Sequence, residues 1–494
     1  MWNQISLAVV LCLVSNQVRA AETTTNWPGF RGPEFTGVAP DANPPTIWSE
    51  DENIKWKVEL RGRGSGSPIV WGDRIYLQTA IKTDRTADSP PETAAADSSN
   101  RFQLVANSDG RLLAQAEKPP AAEPAPPAGG EGEQRGEGRR RGRGGRGFGG
   151  GGGGFGGGEM PTNYYQFIVM CIDRNTGKTI WQQTATEAIP HEGHHGTASF
   201  ASSTPVTDGK NLYVSFGSRG IYSFDMDGKL RWKKELGIMK TRNMFGEGSS
   251  PALHGETLVI NWDHEGQSFI TALDANTGET KWKVDRDEET TWNTPLILEH
   301  SGKTQVIVNA MNRARSYDLE NGEIIWECGG QAMGAVPTPL AYKDLAFCMT
   351  GHRGEALYAI PLSSQGDITD TDQVAWKLEK DTPYVPSPLL YDDQLYFSKS
   401  NNGIFSCYKA ETGEEVFKAQ RIPGIDMIYA SPVGAAGRIY LAGRNGATVV
   451  VKHGPEFEVL ATNQLDEPID ATPAIVGNEI IIRGEKSLYC IAEE

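Results

Sequence analysis

Eight of the Ser/Thr-Pro dipeptides in this chain recur in one repeat register, and their spacing constrains the fold more than any other feature. The copies are Ser67-Pro68, Thr204-Pro205, Ser250-Pro251, Thr294-Pro295, Thr338-Pro339, Ser387-Pro388, Ser431-Pro432 and Thr472-Pro473. After the first interval the prolines lie 46, 44, 44, 49, 44 and 41 residues apart, by subtraction. Each proline opens a short apolar run, a turn, and a second run such as residues 211–215. A third run ends in a Gly turn and a fourth carries an aromatic residue. Asp173-Arg-Asn-Thr-Gly177 leads to Trp181, Asp274-Ala-Asn-Thr-Gly278 to Trp282, Asp318-Leu-Glu-Asn-Gly322 to Trp326, and Glu411-Thr-Gly413 to Phe417. Glycine suits a hairpin loop that needs positive φ, and Asn or Asp steadies the turn with its side chain.

Four strands per unit of ~44 residues, with no helical period, predict an all-β, eight-bladed β-propeller with four antiparallel strands per blade. The last unit, 474–491, has no fourth strand of its own. Ile54-Lys-Trp56-Lys-Val58 near the chain start reads as a Trp-bearing fourth strand without its first three. The expectation is a ring closed by this N-terminal strand joining the C-terminal blade, which removes open sheet edges.

Residues 1–20 read as a signal peptide: an apolar run over 5–14, then Val18-Arg19-Ala20 as a small-x-small cleavage pattern. Residues 21–494 then form one propeller, exported to the periplasm or cell surface, with no transmembrane segment. Residues 82–160 interrupt the first blade with an Ala/Pro/Gly/Arg-rich insertion expected to be disordered, because it cannot bury enough apolar surface to fold alone. The net charge of -16 disfavours a nucleic-acid partner. Of six cysteines, Cys12 falls in the signal. Cys171, Cys407 and Cys490 fill a small-residue slot occupied elsewhere by Ser223, Ala272, Ser316 and Ala359, which predicts buried free thiols. Cys328 and Cys348, on adjacent blades, leave a disulfide pairing open.

The pattern Ala/Ser/Cys-x-Asp-x-x-x-Gly-x-x-x-Trp resembles the tryptophan-docking repeat of pyrroloquinoline-quinone (PQQ) dehydrogenases and of their non-catalytic BamB-like relatives. The opening Trp27-Pro-Gly-Phe-Arg-Gly-Pro33 is similar to that of many exported PQQ-like repeat proteins. The resemblance implies the fold, since the repeat is scaffold and not site. A PQQ alcohol dehydrogenase of this fold carries adjacent cysteines against the quinone, and this chain has none. It also lacks Cys-x-x-Cys-His for haem attachment. The expected function is therefore a non-catalytic, monomeric scaffold for ligand or protein recognition, with no catalytic residues and no cofactor. The alternatives are a PQQ-dependent alcohol or sugar dehydrogenase using calcium, and a soluble component of outer-membrane protein assembly.

His191-Glu-Gly-His-His195 matches the zinc-protease pattern literally, but Pro190, Gly193 and Gly196 argue against the helix that pattern requires. His191, His194 and His195 remain as candidates for a loop metal site without an evident third ligand. Trp262-Asp263-His264, residues 285–289 and Trp292-Asn293 form polar-aromatic clusters suited either to ligand recognition or to packing. One further register stands out. The loop joining the second and third strands of each blade contributes Arg219, His264, Arg313, Arg353, Lys399, Arg444 and Arg483. Either these residues solvate tight turns, or they form a basic rim that draws an anionic glycan, small molecule or protein.

Overall fold

The computed structural model describes residues 26–87 and 158–493. It is all-β, with eight sheets, each built on four antiparallel strands, in chain order in every blade but the last. The blades, numbered in that order, begin at Ile69, Val206, Ala252, Leu296, Leu340, Leu389, Val433 and Ala474, each one residue past a repeat proline. The expected signal peptide lies outside the described residues, as does residue 494. No helix among the described residues is long and apolar enough to cross a membrane.

The repeat dipeptide now acquires a physical role. The backbone N–H of Ser67 donates to Thr204 Oγ1 (3.0 Å), and that of Thr204 to Ser250 Oγ (2.9 Å). The same bond links Thr294 to Thr338, Thr338 to Ser387, Ser387 to Ser431 and Ser431 to Thr472. At six of the eight junctions the repeat Ser or Thr ahead of a blade's first strand thus hands its N–H to the hydroxyl at the start of the next blade. A hydroxyl is needed because neighbouring blades are not joined by a strand ladder there, and a buried N–H without an acceptor is costly.

The outer tryptophans perform the second linkage. Trp56, Trp181, Trp232, Trp282 and Trp376 each donate Nε1–H to a backbone carbonyl of the following blade, at 2.7–3.1 Å. Their indoles lie on that blade's turn glycine. A Cβ on Gly177 would stand 2.8 Å from Trp56, and one on Gly413 would stand 2.6 Å from Trp376. Glycine is therefore required twice over, for positive φ and for the close approach of the ring. Across the sheet from each aromatic sits the small-residue slot: Cys171 opposite Trp181, Ala272 opposite Trp282, Cys407 opposite Phe417, and Cys490 opposite Trp56. All five described cysteines are buried and free, Cys328 and Cys348 included. Trp326 departs from the pattern. Its Nε1 has no partner among the described residues. Instead, Gly366–Asp367, from blade 5, adds a parallel strand beside it and buries it completely.

The strand Ile54–Glu59 pairs antiparallel with Ser487–Ile491, with Trp56 opposite Cys490. Before it, residues 26–48 take a course that the repeat does not foretell. Thr207 of blade 2 donates its N–H to Pro28 O, yet three residues later Arg31 bonds Pro388 O of blade 6 (2.7 Å) and Pro432 O of blade 7 (2.9 Å). Blades 2 and 6 are opposite in an eight-membered ring, so the strap crosses the axis. Arg31 is fully buried and meets only carbonyls, without a carboxylate to offset its charge. The strap continues along blade 7, where Val38–Ala39 pairs with Gly434 and Ala435.

The insertion begins later than the sequence pattern suggests. Arg74–Thr86 pairs with Asn163–Asp173 through Lys82 and as far as Thr86, so residues 82–86 belong to the blade. Residues 88–157 lie outside the described residues. Excising 88–157, and not the ladder before it, should leave the calorimetric melting temperature within a few degrees of wild type. Loop closure changes by only about 0.6 kcal/mol per doubling of length. Loss of the cooperative transition would show that the segment supports the fold.

Candidate functional site

Blade-to-blade connections and second-to-third-strand loops emerge together on one face. Glu265 N–H, in the blade 3 loop, donates to Lys240 O in the connection from blade 2, and Arg444 N–H donates to Met427 O in the same relation at blade 7. On this face a cleft of about 430 Å³, counting its open mouth, lies at blades 1 and 2. His191, Glu192, Arg219 and Glu247 line it, with Ser199, Ser202, Ser203, Ser215 and Ser218 and the apolar walls Phe167, Phe200 and Phe216. Its floor continues toward Asn261, Asp263 and Trp292 of the next blades.

The acid–base groups of the cleft are committed to the protein. Glu247 accepts the N–H of Ser218 (2.7 Å) and the Ser218 hydroxyl. Gly217 makes room for it, since a Cβ there would fall 1.5 Å from Glu247 Oε2. Glu192 is buried and accepts both the N–H and the hydroxyl of Thr241. His191 donates Nε2–H to Met239 O (2.6 Å) and presents Nδ1 to Arg219 Nη2 (3.3 Å). Burial pushes the Glu247 carboxyl up to about 7, against the pull of its Ser218 bonds. The folded-state pKa thus exceeds the unfolded one. The stability this proton supplies is complete below about pH 4.5 and is lost as pH rises through about 7. Glu247→Gln should remove a decline on the order of 2–3 kcal/mol between those limits, read by urea denaturation at stepped pH. A wild-type pH profile in the variant would assign the decline elsewhere.

The candidate metal ligands do not converge. His191 faces Met239 and Arg219, His194 packs edge-on against Phe200, and His195 Nδ1 meets Thr197 Oγ1. Burial lowers the pKa of all three. Among the described residues no group of three or more His, Cys, Asp or Glu side chains could hold a metal ion. The segment is bend and turn, not helix.

The basic register is real as a sequence position, but most of its charge is compensated or enclosed. Arg313 pairs with Glu327 (2.8 Å) and Asp367 (2.6 Å), Lys399 with Asp381 (2.6 Å), and Arg444 with Asp470 through two bonds. Arg483 is buried and donates to Gly66 O and Gln78 O. His264 is buried too: Nδ1 accepts the N–H groups of Lys240 and Gly266, so the ring carries its proton on Nε2. Among the described residues, Arg219 and Arg353 are the two of the set that neither form an ion pair nor are buried, and Arg219 still bonds His191 Nδ1 through Nη2. Arg353 is exposed, and Arg219 lies in the cleft with its Nε buried and unpartnered. The seven-membered rim therefore reduces to two cations. Asp381 and Asp470 come from blade-to-blade connections, which a register of one loop per blade does not include.

The other clusters are structural as well. Asp263 and Arg286, both fully enclosed, form two bonds of 2.8 and 3.1 Å. Arg315 holds Asp287 and Glu288, Arg242 holds Glu289, and Trp292 Nε1 donates to Gly246 O.

With this geometry established, comparison with known proteins adds the lineage. No curated protein matches the sequence. The fold is similar to that of quinohemoprotein alcohol dehydrogenase from Comamonas testosteroni: TM-score 0.56, 9% identity, 96% of this chain and 81% of that one. A europium-containing methanol dehydrogenase gives TM-score 0.55 at 10% identity over 95% and 98% of the two chains. BamB from Moraxella catarrhalis matches at 14% identity over 66% of this chain and 91% of that one, with TM-score 0.48. At such identities these likenesses concern the fold alone. A family model described as outer membrane protein assembly factor BamB matches residues 166–419, just over half of the chain, and the chain belongs to that PQQ-repeat family.

Proposed function

We propose that this chain is an exported, non-catalytic recognition scaffold that binds an anionic ligand or partner on its loop face, with Arg219 and Arg353 as the cations that meet it. One observation carries the reading: the cleft's two carboxylates and its histidine are each filled by protein donors or acceptors. A catalytic acid or base must be free to exchange a proton with substrate. These groups instead fix the connections that shape the face. A PQQ site would further need carboxylates for calcium, and those lining the cleft, Glu192 and Glu247, already accept from Thr241 and Ser218. The family description favours a protein in the assembly of outer-membrane proteins as one form of partner. The test is retention on dextran sulfate across a salt series. Wild type should be retained at low salt and released as salt rises, and an Arg219→Ala/Arg353→Ala variant should elute several-fold earlier. Equal retention of the two would overturn the loop-face assignment.

A further inference from the structure

The cleft carries more information than its charge. In the adjoining pocket, which shares Ser203, Ser215, Gly217, Gly246 and Glu247 with the cleft, Asn261, 1% exposed, gives its Nδ2–H to Thr291, while its Oδ1 has no donor among the described residues. At the other end the Arg219 guanidinium bonds His191 Nδ1 through Nη2 (3.3 Å), while its buried Nε has no acceptor among the described residues. A buried polar atom left unpaired costs free energy comparable to a lost hydrogen bond, so two in these joined pockets mark where a bound group is missing. Their chemistry is complementary: Asn261 calls for a donor, and Arg219 for an anion with acceptor oxygens. The lining also includes Ser199, Ser202 and Ser215, with Ser203 and Ser218 hydroxyls already given to Ser249 O and Glu247, and three phenylalanines that offer an apolar wall.

We infer that this cleft binds a hydroxylated carboxylate, a uronic-acid unit. Its carboxylate would lie on Arg219, its hydroxyls on the serines and Asn261, and its C–H face against the phenylalanines. A plain fatty acid leaves Asn261 unanswered, and a neutral sugar leaves Arg219 so. The inference rests on the scaffold reading and deepens it.

Glu247 determines how such binding depends on pH. It faces Ser218 and Arg219 from their own turn, and His191 and Glu192 from the connection between blades 1 and 2. Asp263, held by Arg286, lies in the adjoining floor. With its carboxyl already pushed up to about 7, an arriving anion is accompanied by proton uptake on Glu247. Affinity should therefore rise as pH falls.

The experiment is calorimetric titration of the full-length protein with D-galacturonate, galactose and cyclohexanecarboxylate at pH 6 and 8.5. Galacturonate should bind saturably at pH 6, at least about ten-fold more tightly than either of the others. It should weaken about ten-fold at pH 8.5, a change worth one pKa unit. Arg219→Gln should lose about ten-fold or more, while Lys399→Gln, which breaks only the pair with Asp381, should bind as wild type. Should Arg219→Gln fold poorly, Glu247→Gln gives the opposite sign: tighter binding than wild type at pH 8.5 and little pH dependence. Absence of saturable galacturonate binding, unchanged affinity in Arg219→Gln, or no gain in Glu247→Gln would overturn the uronate assignment. If dextran sulfate retention through Arg219 and Arg353 persists in that case, the scaffold reading stands and only the ligand class falls.

Discussion

Deleting residues 53–60 should abolish the native melting transition, and Trp56→Ala alone should cost about 3–5 kcal/mol in urea denaturation. The strand Ile54–Glu59 is the only fourth strand that blade 8 has among the described residues. It pairs with Ser487–Ile491 along its length, and Trp56 donates to Arg174 O while lying on Gly177 of blade 1. One element therefore completes a sheet and docks that sheet on its neighbour. Arg483 crosses the same junction from beneath, donating to Gly66 O and Gln78 O. Without the strand, the third strand of blade 8 becomes a bare edge and the docking surface on blade 1 is exposed. A deletion variant that melts like wild type would show that blades 8 and 1 hold together by other means. The expected contrast with excision of 88–157, which removes far more chain at little cost, makes the pair of deletions informative.

The second large effect concerns the buried pair inside blade 3, between Asp263 after its second strand and Arg286 at the end of its fourth. Asp263→Ala should destabilise by about 3–5 kcal/mol, because Arg286 then keeps its charge in a fully enclosed position with no counter-ion. Thr291, which donates to Asp263 Oδ2 (2.8 Å), loses its acceptor as well. Replacing both members, Asp263→Leu with Arg286→Met, should recover most of the loss, since desolvation of an ion pair roughly cancels its attraction. Urea denaturation of the three variants measures this directly. A single variant within about 0.5 kcal/mol of wild type would mean that water reaches the pair.

The propeller was legible in the sequence because its signals are periodic. Prolines at near-constant spacing, turn glycines and a tryptophan four residues on repeat often enough to be aligned within one chain. Even Cys171, Cys407 and Cys490 could be placed, as members of one small-residue slot, while Cys328 and Cys348 could not. Contacts that occur once were not legible. Arg31 sits in a motif that points to lineage, but nothing local says that its guanidinium crosses the ring axis to Pro388 and Pro432. The pairing of the rim residues was hidden for a related reason. Reading one loop per blade finds Lys399 and Arg444 but not their partners Asp381 and Asp470, which arrive from a different connection. The cleft was half visible: His191 and Arg219 were singled out separately. Glu247 and Asn261 belong to no periodic pattern, and only the fold brings them to the same face.

The claim that this propeller recognises and does not oxidise is open to one direct measurement. The purified full-length protein is incubated with PQQ and calcium, passed through a desalting column, and assayed for dye reduction with a panel of alcohols and sugars. The expected result is that no quinone absorbance travels with the protein and no substrate-dependent reduction occurs. Stoichiometric retention of quinone absorbance, with turnover that depends on added alcohol or sugar, would contradict it.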